Sequence, residues 1–261
     1  MRGYSRTMRT LTLRRAGLLA LALTSVGCRT APPKGVAGPD ADALARALVA
    51  AVDGEAWEET GAVRWVFGGR NRHLWDRRRG FSQVEWSDRR VLLEVDGRVG
   101  VALEGGLRVE DADRARELLD EAHAKWTNDA FWLNPVTKVF DPGTVRERLP
   151  PEEGKRLLLV RYRSGGRTPG DAYLWHIGED DRPVAWQMWT SNIPVGGVEA
   201  SWAGWIELAT GAWVATEHEL PIFTLELTEV AGERTLDALV EGEDPFAALV
   251  ECKQGERCVR F

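Results

Sequence analysis

The chain has 261 residues, of which 44% are hydrophobic and 28% charged. This is ordinary globular usage and argues against wholesale disorder. No apolar run reaches the ~18 residues that a membrane-spanning helix needs. A formal net charge of −6, with no basic cluster beyond the N-terminus, argues against nucleic acid as a main partner, since phosphate binding needs grouped Lys and Arg.

Met1–Cys28 reads as an export signal. Arg2, Arg6, Arg9, Arg14 and Arg15 form a basic start without an acid, and Ala16–Val26 is an apolar stretch too short to cross a bilayer. Ser25-Val26-Gly27-Cys28 resembles the lipobox of bacterial lipoproteins, although Ser25 stands where Leu is usual. That resemblance implies that Cys28 carries the lipid and becomes the mature N-terminus. Arg29 follows where enteric inner-membrane lipoproteins have Asp, which points to an outer-membrane anchor facing the periplasm. The alternative is an ordinary cleaved signal with Cys28 incidental. Removing the signal deletes five Arg and leaves 29 basic against 40 acidic residues, a net of −11. Such a chain gains little from an anionic lipid surface, so an acyl group would have to hold it there. Residues 29–39 (RTAPPKGVAGP) are small and rich in Pro and Gly, and read as a flexible tether before a domain at 40–261.

A helix opens the domain. Leu44, Ala47, Leu48, Ala51 and Val52 recur at helical spacing, with Asp40 or Asp42 as cap and Gly54 as the stop. A meander of short strands follows. Ala62–Phe67 alternates, with Val63, Trp65 and Phe67 on one face. Strands are also expected at Arg72–Arg77, after Gly80, and at Arg90–Val95 and Arg98–Leu103. The last two flank Asp96-Gly97, a pairing that favours a type I′ hairpin turn. Glu110–Trp126 is the strongest helical pattern, from Ala112, Ala115, Leu118, Leu119, Ala122 and Trp126. After the apolar block 129–135 come strands at Arg156–Arg163, Ala172–Ile177, Pro183–Thr190, Val198–Leu208, Ala212–Leu220 and Phe223–Val230. Leu236–Val250 reads as a helix broken near Gly242 and Pro245. Cys252 and Cys258, in an exported protein, are expected to pair as a disulfide; two free thiols are the alternative.

The pattern predicts one α+β domain, a single curved antiparallel sheet with two or three helices. With Gly54-Glu55-Ala56-Trp57 before the first strand and Asp129-Ala130-Phe131-Trp132-Leu133-Asn134-Pro135 after the long helix, it resembles the outer-membrane lipoprotein carrier and receptor fold (LolA/LolB-like). That resemblance covers about residues 40–230. It implies an open half-barrel whose concave face is capped by helices and holds acyl chains.

The candidate site is aromatic. The chain has twelve Trp and three Tyr. One buried Trp is worth at most ~4–6 kcal/mol of apolar transfer, so twelve exceed what a thin sheet-on-helix core requires. Trp65, Trp75, Trp86, Phe131, Trp132, Trp175, Trp186 and Trp202 are therefore the expected lining of a cavity for a lipid, acyl chain or other amphiphile. The plainer reading is that they only fill the core. No nucleophile motif, zinc motif or phosphate loop is present. His73, His176 and His218 read as core or surface histidines, and neither a metal nor a cofactor is expected. Function therefore reads as non-catalytic holding or carriage. A structural or interaction module that meets another envelope protein is second, and a hydrolase third.

Overall fold

In the computed structural model, residues 30–164, 170–191, 193–255 and 258–261 are described. The export signal and Cys28 lie outside them. Two helices open the domain: α1 (Pro39–Ala51) and α2 (Gly54–Glu59). The break between them is Asp53, in a left-handed conformation with its carboxylate accepting from Ala56 N at 3.0 Å. The expected stop at Gly54 is thus a kink, and the second helix carries Trp57 into the core.

The meander follows as β1 (Ala62–Phe67), β2 (Asn71–Asp76), β3 (Phe81–Trp86), β4 (Arg89–Glu94), β5 (Val99–Glu104) and the short β6 (Leu107–Arg108). The β4–β5 hairpin is where it was expected, but the turn type differs. The left-handed residue is Arg98 (φ 49°), while Asp96 and Gly97 are not left-handed. This is the geometry of a longer loop closed by one left-handed residue rather than a type I′ pair.

Helix α3 (Ala112–Leu133) is capped by Asp111, which accepts from Arg114 N at 2.7 Å. It runs two turns past the expected end at Trp126 and stops at Asn134 before a 3₁₀ turn, Pro135–Lys138. The second half adds β7 (Thr144–Glu152), β8 (Lys155–Tyr162), β9 (Ala172–Ile177), β10 (Pro183–Trp189), β11 (Val198–Ser201), β12 (Ile206–Glu207), β13 (Trp213–Val214), β14 (Glu217–Glu219) and β15 (Thr224–Glu233). The chain ends with α4 (Leu236–Leu239), α5 (Ala247–Gln254) and β16 (Val259–Arg260). Strand β7 was not expected. It is a polar edge strand with Pro150 and Pro151, a composition tolerated only where ladder bonds on one side are not needed. The single strands expected at Val198–Leu208 and Ala212–Leu220 are each divided in two.

The strands form an antiparallel nine-stranded sheet in the order β14-β15-β1-β2-β3-β4-β5-β16, with β6 on β5, and a five-stranded sheet β11-β10-β9-β8-β7. A seam joins them. Ala203 exchanges backbone hydrogen bonds with Glu217 at 3.0–3.1 Å, and Glu219 N donates to Ser201 Oγ at 2.8 Å. The fold is α+β, and the sheet is curved but not closed.

Its inner face is one continuous core across the seam. Leu158, Val160, Tyr173, Trp175, Trp186 and Met188 of the five-stranded sheet meet Leu44, Ala45 and Leu48 of α1, Trp132 of α3, and Leu225 of β15. Farther along, Leu118, Leu119 and Ala122 of α3 lie on Val84, Val91, Leu93 and Ala102. Gly100 permits that approach, because a Cβ there would sit 2.4 Å from Leu119 Cδ2. The opposite face of the same strands is covered too, by α4 and α5. Leu236, Leu239, Phe246 and Leu249 pack on Ala62, Leu74, Phe81, Leu92 and Val101. The helices thus cover both faces of the meander, not the concave one alone. The Cys252–Cys258 disulfide ties α5 to β16, which pairs with β5. With a sequence separation of only 6, its loop-closure contribution is about 2 kcal/mol.

Residues 30–38 do not hang free, as a flexible tether would. Val36 and Arg148 exchange backbone bonds at 2.8–2.9 Å, Gly35 N donates to Glu147 Oε2 at 3.0 Å, and Arg161 Nη2 donates to Pro33 O at 2.6 Å. Once its amides meet the free edge of β7, the stretch becomes an edge cover.

Candidate functional site: the aromatic interior

Period-two alternation aims Tyr173 and Trp175 of β9, and Trp186 and Met188 of β10, at the inside. Phe131 and Trp132 come from the last turn of α3, and Trp202 follows β11. These residues converge. Trp186 lies at ring-centroid distances of 4.9 Å from Trp132, 4.9 Å from Trp175, 5.0 Å from Trp202 and 4.6 Å from Tyr173, with Phe131 stacked at 6.0 Å. Five of the eight expected lining residues (Phe131, Trp132, Trp175, Trp186 and Trp202) therefore form one cluster.

The other three lie apart. Trp65 belongs with Val63, Leu133 and Leu227 in a neighbouring part of the core and stacks on His73 at 4.5 Å. Trp75 meets Trp126 edge-on at 5.5 Å. Trp86 lies under α3, with Lys125 Nζ 5.4 Å from its ring. The expectation of an open hollow is also corrected. The rings of the cluster interlock with one another, and Trp175 and Trp186 have no exposed surface. Among the described residues, two depressions open on outer faces. One, of about 180 Å³, is charged and bordered by Arg64, Arg72, Gln83, Glu85 and Glu229. The other, of about 420 Å³, lies between Thr30–Pro32 and Trp189.

The cluster holds polar groups with nothing to bond. The indole N–H groups of Trp175, Trp186 and Trp202, the Tyr162 hydroxyl and His218 Nε2 are all buried without a hydrogen-bond partner. Buried polar groups are paired as a rule, and each unpaired one costs about 1–3 kcal/mol. Tyr162 and Tyr173 were not among the expected lining residues, although Tyr173, two residues before Trp175, shares its face of β9.

His218 points inward from β14, away from the exposed Glu217 and Glu219 that flank it. It is fully buried, 4.4 Å from the Trp202 ring, with Nδ1–H donating to Ser201 O at 3.0 Å. Burial pushes its pKa down to about 4. Unfolded, the ring takes a proton near pH 6.5. Its stabilising contribution is thus complete above that pH and falls away between about pH 6.5 and pH 4, by about 3 kcal/mol in all. Urea unfolding across this range is expected to show that acid loss in the native chain and less of it in His218→Phe. Equal slopes in the two proteins would refute the assignment.

The interior also holds a buried carboxyl group at a position that periodicity alone does not mark as buried. Asp129 of α3 is buried and accepts from His73 Nε2 at 2.7 Å, Asn71 Nδ2 at 2.8 Å and Asn128 Nδ2 at 2.9 Å. It ties α3 to β2. His176, by contrast, lies on the outer side of β9 with Leu174, away from the cluster. Among the described residues no three His, Cys, Asp or Glu groups are placed to hold a metal.

No family model matches the chain, and no curated protein matches it either. Solved structures do resemble it. A DUF1329 family protein from Desulfovibrio piger aligns at a TM-score of 0.42 and 9% identity, over 80% of this chain and 97% of its own. A domain from Vibrio parahaemolyticus described as an outer membrane lipoprotein-sorting protein aligns at 0.40 and 8%, over 80% and 98%.

Proposed function

We propose that this chain is an exported, lipid-anchored envelope protein, held through Cys28 at the outer membrane, that takes up an acyl chain or similar amphiphile in its aromatic interior without breaking bonds. The observation that carries the reading is the convergence of Phe131, Trp132, Tyr173, Trp175, Trp186 and Trp202 from α3, β9, β10 and the stretch after β11 into one apolar interior. A binding site is mostly apolar with a few polar groups that orient the ligand, and the ester or amide carbonyls of an amphiphile would accept from the indole N–H groups and the Tyr162 hydroxyl, while His218 Nε2, which itself only accepts, would take a hydrogen bond from an amide N–H or hydroxyl. Because the rings interlock, uptake requires Phe131 and Trp132, on the end of α3, to move off the sheet.

The test uses the unlipidated Cys28→Ala chain and a fluorescent fatty acid. Saturable binding at micromolar protein is expected, with energy transfer from Trp to the probe. Absence of saturable binding would overturn the reading. The mutual contacts of Trp186 favour the second reading in that case: a filled-core anchored module that meets another envelope protein.

A further inference from the structure

We propose that the rim built from loops 193–197 and 220–223 is the face that this protein lays on the bilayer holding its own anchor. The proposal rests on lipidation at Cys28 and adds an orientation to it. Three large apolar side chains stand out there: Ile222 is 89% exposed, Val195 58% and Phe223 54%. The register brings their loops together. Val198 pairs with Met188, and Glu219 N donates to Ser201 Oγ across the seam, so both chain reversals fall at the same end of it. The β1–β2 turn lies beside them, since a Cβ on Gly68 would meet Leu225 Cδ1 at 3.5 Å. That turn carries the exposed Arg70, whose charge suits a phosphate headgroup.

The second observation concerns where the chain enters. Thr30 Oγ1–H donates to Gly196 O at 2.9 Å, and Gly196 has no room for a side chain, because a Cβ would lie 2.4 Å from Thr30 O. The first described residue is therefore pinned to the loop that carries Val195. Only two residue steps, at most ~7 Å of chain, separate Thr30 from Cys28. An acyl group on Cys28 would thus enter the membrane within a short step of Val195. Single exposed apolar residues need no explanation, but three on adjacent loops beside the anchor point do. The net charge of −11 without the signal offers no general attraction to anionic lipid. Apolar tips that reach ~5–10 Å into the interface would hold the domain upright where charge cannot.

The test places an environment-sensitive dye on Phe223→Cys in the full lipidated chain, in vesicles of phosphatidylethanolamine and phosphatidylglycerol. Asp96→Cys, in the exposed turn between β4 and β5 at the opposite rim, is the reference. Access of an aqueous quencher at position 223 is expected to fall at least ~3-fold on vesicle binding, with a blue shift, and to stay unchanged at 96. If the chain floats with the vesicles while both positions stay equally accessible, the anchor reading stands and the rim proposal falls. If the chain does not float, the anchor reading falls and the rim proposal with it. If position 223 becomes shielded without vesicles in the Cys28→Ala chain as protein concentration rises, the rim is a protein contact and the bilayer assignment is overturned.

Discussion

Asp129→Ala is expected to destabilise the fold by about 3–5 kcal/mol, because it removes one partner of a buried pair and strands the other. The Asp129 side chain is 2% exposed and that of His73 fully buried. The carboxylate accepts from His73, Asn71 and Asn128, so its removal leaves several donors without an acceptor in a medium that cannot replace it. The same bonds tie α3 to β2, so the loss falls on the joint between helix and sheet. Asp129→Asn keeps an acceptor and the side-chain volume, and should cost clearly less. The check is the urea midpoint followed by circular dichroism, with the slope confirming that a two-state comparison is fair. A cost below ~1 kcal/mol for the Ala variant would mean that the pair contributes nothing beyond its packing.

Trp186→Ala is expected to cost about 3–5 kcal/mol, the range for deleting a large aromatic from a core that cannot collapse. Trp186 has no exposed surface and touches Phe131, Trp132, Tyr173, Trp175 and Trp202. Those partners come from three separate stretches of chain, so none can follow the missing ring without pulling away from its own strand or helix. Trp189→Ala serves as the comparison: that ring is 7% exposed on the outer side of the same strand, beside Leu174 and Leu159. Denaturant midpoints of the two variants decide the matter. Equal costs would show that the inner cluster is no better packed than the outer face. Trp186→Ala also bears on the proposed uptake. If the interior accepts an acyl chain, the space it leaves should raise the affinity for the fatty-acid probe, whereas an unchanged affinity would place the probe elsewhere.

How legible the fold was depends on how local each signal is. The meander β1–β5 was readable because its strands alternate, and its turns carry Gly or Asp next to strand ends. The long helix was readable as far as Trp126 and then lost. The inward positions of α3 continue through Asp129, Trp132 and Leu133, but a carboxylate at the inward position reads as surface until its partners on β2 are known. Strand β7 was missed for a related reason. Its residues are mostly polar, and its stability comes from an eight-residue partner and from ion pairs such as Arg161–Glu147 and Arg146–Asp42.

The candidate site divides the same way. Alternation by itself turns Trp175 and Trp186 inward, because which side of a strand a residue faces is a local property. It could not say that Trp65, Trp75 and Trp86, equally inward, lie elsewhere along the sheet. Nor could it say that the rings of the cluster would touch one another. Composition and periodicity by themselves determined the α+β class, the helix and strand types, the inward faces and the aromatic character of the interior, since each depends on neighbours within a few residues. Only the tertiary structure decided the seam at Ala203 and Glu217, the covering of both faces of the meander, the pinning of Thr30 to Gly196 and the His73–Asp129 tie. Each of these joins residues far apart in the chain, and such a contact forms only when the whole fold returns more free energy than the chain entropy that ordering removes.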